Sequence, residues 1–136
     1  MEKTRYCKSQ AYFTIYFDSD FEPSVISKII GIKAHKCVLR KDALSTHFNP
    51  NSHGFFQIAT NVGEDRNAET AVKTILKPFI KNYQTIRKMI EDNNGYCCLD
   101  LFVHTKEKKT MPTIELSPNV IELLNKLKAV FSVNII

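Results

Sequence analysis

Apolar and polar positions alternate in steps of two near the start of the chain. Ala11, Phe13, Ile15 and Phe17 fall on one side, and Tyr12, Thr14 and Tyr16 on the other. Period two predicts a strand with one dry face. Pro23 then suits a first helical turn, Val25, Ile26, Ile29 and Ile30 recur at helical spacing, and Gly31 supplies a stop, which predicts a short helix. The 32–53 segment is the longest stretch without clear periodicity. It holds one brief strand candidate, Lys36-Cys37-Val38-Leu39, and the turn residues Asn49-Pro50-Asn51-Ser52. Long irregular stretches in small domains tend to carry function. Residues 54–60 read as a strand, with Phe56 and Ile58 on one face and Phe55 and Gln57 on the other.

Downstream, Asn67 is placed to cap a helix in which Glu69 favours the positive end of the helix dipole, and Pro78 predicts a break at Lys77. Phe79, Tyr83, Ile86 and Ile90 form one helical stripe, which Asn93-Asn94-Gly95 ends. The longest strand candidate is 96–105, where Cys97, Leu99, Leu101 and Val103 alternate with Cys98, Asp100, Phe102 and His104. Lys106-Glu107-Lys108-Lys109 predicts a turn into a hairpin partner at 113–116. Ser117 and Pro118 open a helix whose apolar face is Val120, Ile121, Leu123, Leu124 and Leu127. The final run, 130–136, is mostly apolar on both faces and is expected inside the sheet rather than at an edge. The elements sum to an α+β sandwich: a mainly antiparallel sheet of about five strands with helices packed on one face.

Composition narrows the class. A chain of 136 residues fits one domain, 1–136, able to bury roughly two thirds of its unfolded surface without metal or disulfide; residues 1–10 are expected as a flexible N-terminal segment. With 43% hydrophobic and 24% charged residues and few Gly or Pro, the chain is neither disordered nor a repeat protein. No apolar run approaches the ~20 residues that span a bilayer, and Met1-Glu2-Lys3-Thr4-Arg5 lacks the apolar core of a signal peptide. The expected location is the cytoplasm, with no membrane contact, and Cys7, Cys37, Cys97 and Cys98 are expected as reduced thiols. Adjacent Cys97 and Cys98 point to opposite faces of their strand.

The order of elements, together with Phe21-Glu22-Pro23, Ile29-Ile30-Gly31-Ile32, Gly54-Phe55-Phe56 and Leu116-Ser117-Pro118, resembles a bacterial family of domains of unknown function, family 4279. The resemblance covers nearly the whole chain from about Ala11. It departs from the family pattern at Ala34-His35, where members often carry Pro-Thr, and at Phe55 or Phe56, where members carry Trp. The resemblance implies a small cytosolic α+β protein and assigns no activity.

Candidate chemistry is sparse. His35, Cys37, His47 and His53 offer zinc-type ligands within one segment, but their spacing matches no zinc module, and solvated histidines with Cys37 as a small apolar group is the preferred reading. Cys98 and His104 share a strand face yet stand ~20 Å apart, too far to share a proton. A Cys37 nucleophile with His35 is geometrically easier, but no orienting acid or oxyanion donor accompanies it. Asp18 and Asp20 are read as favouring the first helix's dipole, and the scattered glycines build no phosphate cradle. No cofactor is expected.

The formal charge of +5 favours acidic or polyanionic partners. Lys33, Lys36, Arg40 and Lys41 cluster in the irregular segment as candidate anion-binding residues, whereas Lys73, Lys77, Lys81 and Lys88 read as a solvated helix face. Val38, Leu39, Leu44 and Phe48 are apolar side chains with no periodic element of their own on which to be buried. The functional expectation is a non-enzymatic binding module, immunity- or antitoxin-like, that engages a protein partner through Val38, Leu39, Leu44 and Phe48. A nucleotide or nucleic-acid binder using the basic loop is the alternative, and a metal- or thiol-dependent enzyme ranks third.

Overall fold

The alternating run at the front of the chain becomes the central strand of a five-stranded sheet. A computed structural model describes residues 8–18, 21–39, 54–60, 67–104 and 114–136. Strand β1 (Lys8–Phe17) lies between antiparallel β3 (Gly54–Ala59) and β4 (Tyr96–His104). β2 (Lys36–Val38) pairs antiparallel with the far side of β3, and β5 (Val130–Ile135) runs parallel to β4, for an order β2-β3-β1-β4-β5.

Register turns the alternation into a core. Phe13 sits between Ile58 and Leu99, and Ile15 between Phe56 and Cys97, so one face of the three central strands is buried and, apart from Ser9 near the start of β1, apolar. Among the described residues four helices contribute to the same core: α1 (Pro23–Ile30), α2 (Ala68–Leu76), α3 (Tyr83–Asp92) and α4 (Pro118–Leu127). Their inward residues include Ile26, Val72, Ile86, Ile90 and Leu124, and Phe79 packs its ring 4.4 Å from that of Phe13. Fully burying a Phe, Ile or Leu contributes on the order of 1.5–3 kcal/mol, while an exposed ion pair such as Lys73 with Glu69 (3.1 Å) adds about 0–1 kcal/mol. The layered core, not the surface pairs, holds the fold.

Helix ends follow local chemistry. Gly31 takes the left-handed conformation (φ 84°) and donates its N–H to Ser27 O at 2.7 Å, stopping α1. Asn67 Oδ1 accepts from the Thr70 N–H at 2.7 Å. Pro78 sits in a single 3-10 turn, Lys77–Phe79, that separates α2 from α3. Gly95 leads into β4 because a Cβ there would lie 2.6 Å from the Tyr16 carbonyl oxygen. The half-buried Arg87 joins two helices, binding Glu91 at 2.9 Å and the Leu127 carbonyl at the end of α4 at 3.3 Å.

Residues 8–10, expected within a flexible segment, open β1 instead, and two expectations about strand pairing fail. The 113–116 hairpin partner is absent as far as the structure describes it: 114–117 has no strand, because both sides of β4 are already taken by β1 and β5. The terminal strand is not inside the sheet. β5 is its last strand, joined to β4 through the α4 crossover, and Val130, Val133 and Ile135 are exposed.

Candidate functional site

The sheet face opposite the core is built from the other half of each alternation. β1 contributes Tyr12, Thr14 and Tyr16, β3 contributes Phe55 and Gln57, and β4 contributes Tyr96, Cys98, Asp100 and Phe102. The pairing brings Tyr16 beside both Tyr96 and Phe55, and Tyr12 beside Asp100. The result is two aromatic clusters on one face, with Thr14, Gln57 and Cys98 between them. Tyr16 stacks on Tyr96 (centroids 4.9 Å apart, 16° between planes) and tilts against Phe55 at 6.2 Å. Tyr12 meets Phe102 edge-on at 5.5 Å and the His35 ring at 6.1 Å. Ring pairs of this kind contribute about 0.5–1.5 kcal/mol beyond area burial, enough to order each cluster, while Tyr96 remains 45% exposed.

Polar groups are set among the rings. Gln57 Nε2 donates to Thr14 Oγ1 at 3.0 Å, and Asp100 lines a concavity of about 260 Å³ with Gln10, Tyr12, Gln57, Phe102 and His104. Burial pushes the Cys98 thiol up, and the Asp100 carboxylate adds to that; burial likewise raises Tyr16, with Cys98 and Asp100 adding to the effect. Both groups are therefore neutral near pH 7. At that pH the thiol and the hydroxyl can each donate a hydrogen bond.

The described end of the irregular segment borders this face. The His35 N–H donates to Gln57 O at 2.7 Å, fastening residue 35 to β3. Val38 and Leu39 are half-buried there, and Lys33 and Lys36 are exposed, with Lys36 Nζ 6.0 Å from the Phe55 ring centroid. Of the predicted partner-binding residues, Leu44 and Phe48 lie outside the described residues, as do the anion candidates Arg40 and Lys41. The metal candidates His47 and His53 do too. His35 is exposed against Tyr12 and Cys37 is half-buried, its thiol pushed up by burial. Among the described residues no group of three or more metal-type ligands comes together. Cys98 and His104 share the open face but Asp100 and Phe102 intervene along the strand.

A larger hollow, about 660 Å³, lies between α2, α3 and α4 over Leu76, Ile80, Tyr83, Val120 and Leu123, with Lys73, Lys77 and Lys126 around it. Lys73 is matched by Glu69 and Lys126 by Glu122 at 3.2 Å, both one helical turn away. That pattern is a solvated helix surface, in line with the reading of Lys73, Lys77, Lys81 and Lys88. The sheet face is the better site. Sequence reasoning separated its residues from the core side yet missed it as a surface; the signal was that the second side of three strands is also aromatic, at Tyr12, Tyr16, Phe55, Tyr96 and Phe102.

No helix among the described residues is long and apolar enough to cross a membrane. The chain belongs to a family described as a domain of unknown function, DUF4279, whose family model matches residues 5–136. Neither a curated protein nor a solved structure matches it.

Proposed function

We propose that this family member is a non-enzymatic binding module that engages a protein partner through the 32–53 segment, whose described part, 32–39, borders the open face of the sheet, together with that face, in the manner of small cytoplasmic immunity or antitoxin proteins. The observation that carries the reading is the pair of aromatic clusters, Tyr12 with Phe102 and Tyr16 with Phe55 and Tyr96, on the side of the sheet away from the described helices. Large rings held by one another give contact area at small entropic cost, and tyrosine hydroxyls with Asp100 and Gln57 supply the polar contacts that fix orientation. Free Cys37, Cys97 and Cys98 suit a reducing compartment.

The test is a double variant, Tyr96→Ala with Phe102→Ala. Both side chains are at least partly exposed, so the thermal midpoint should move by only a few degrees. Recovery of a discrete partner from an extract of the native host by the wild type should be lost with the variant. Equal recovery by both proteins would remove the open face from the interface. The Lys36 ammonium beside Phe55, with Lys33 exposed three residues earlier, also favours single-stranded nucleic acid as a second reading. That reading requires an affinity for a homopolymer that falls steeply with salt and weakens when Lys33 and Lys36 become Ala.

A further inference from the structure

The two edges of the sheet differ. β2 closes one side with three residues and the exposed Lys36, features that discourage pairing with another chain. β5 closes the other with six residues, Val130–Ile135, none of them charged, and exposes Val130 (55%), Val133 (39%) and Ile135 (43%). Its backbone is also oriented for pairing. Ile136 N donates to Val103 O at 2.8 Å, and Val103 is in register with Ile135. Since alternate residues of a strand turn their N–H and C=O to opposite sides, Phe131, Val133 and Ile135 direct theirs away from β4. Among the described residues no strand occupies that edge.

We propose that two copies of the chain form a two-fold symmetric dimer by antiparallel pairing of β5 with β5, centred on Val133. In this register Val133 stands opposite its own copy, Phe131 opposite Ile135 and Ser132 opposite Asn134. The apolar pairs fall on the helix side and the polar pairs on the open side, and every outward backbone group of Phe131, Val133 and Ile135 gains a partner. A slip of one residue would set helix-side positions against open-side ones. The strand brings no charge into the contact, although each copy carries a formal +5. A two-fold contact also closes on itself instead of propagating into a fibre. The dimer joins two five-stranded sheets into one, with both open faces on the same side, and it stands independently of what those faces bind. A single strand pair buries less than a standard interface, so the dimer is reversible and concentration-dependent.

Sedimentation velocity of the full chain over a concentration series should show a monomer–dimer equilibrium. Val133→Lys places two like charges across the axis and should weaken the dimer on the order of tenfold or more, with a circular-dichroism melt close to that of the wild type. A second pair of variants tests the register even if the lysine variant folds poorly. Under mild oxidation Val133→Cys should form a disulfide-linked dimer well above the wild-type background, whereas Ser132→Cys should not, because position 132 meets 134. A monomer at every concentration, open-ended aggregates, a dimer indifferent to a folded Val133→Lys, or equal cross-linking from the two cysteine variants would each overturn the proposal.

Discussion

Cys97 is fully buried beneath the end of α4, where its thiol donates to the Leu127 carbonyl at 3.4 Å. Burial pushes its pKa from an ordinary 9.0 up to about 12, against the opposing pull of the Arg87 guanidinium. The folded state therefore holds this proton where the unfolded chain releases it. The stabilising effect is complete below the unfolded value and is lost as pH rises from 9.0 towards about 12. The thermal midpoint should fall between about pH 8 and about pH 10.5, and Cys97→Ala should flatten that fall whatever its effect on the midpoint itself. Melts of the two proteins across this range check it, and parallel curves would contradict it. That Cys97 and Cys98 point to opposite faces followed from strand alternation alone. Which of them is inert did not, because it depends on α4, which approaches from 30 residues downstream.

At the scale of elements, capping chemistry was readable at some helix ends but not at Ser117, which precedes α4 without a side-chain cap hydrogen bond. Asn67, Gly31 and Pro78 do what their residue types dictate. The end of α4 was not readable, since Lys128, not a glycine, takes the left-handed position there (φ 53°). A non-glycine residue in that region costs about 1–2 kcal/mol, and the exposed contact of Lys128 Nζ with Glu91 at 3.6 Å returns little. Lys128→Gly should stabilise the protein by roughly 0.5–1 kcal/mol after the added freedom of the unfolded chain is counted. Chemical denaturation measures this, and a loss of stability would show that the lysine contact outweighs the strain. The 113–116 hairpin and the interior placement of 130–136 failed for a shared reason. Apolar pattern marks a strand, but the neighbour it pairs with is set by competition among all strands, and β1 and β5 hold both sides of β4.

For the whole molecule, the α+β architecture was legible because period two and period 3.6 switch cleanly along the chain, and because the β4–α4–β5 crossover helix has its own start residues, Ser117 and Pro118. The candidate site was legible only in part. Alternation assigned Tyr12, Tyr16, Phe55 and Phe102 to the side away from the core, but whether helices cover a sheet on one side or both is decided by where they pack. The described helices meet the core-facing side, and the rings on the other side meet one another. The central claim is that this face, rather than the helical side, meets the partner. Its most direct test replaces Phe102 with a photo-reactive phenylalanine analogue and, in a separate protein, makes the same replacement at exposed Lys88 on α3, then irradiates each in an extract of the native host. The account predicts a discrete cross-linked partner from position 102 and none from position 88; a partner captured from position 88 and not from 102 would contradict it.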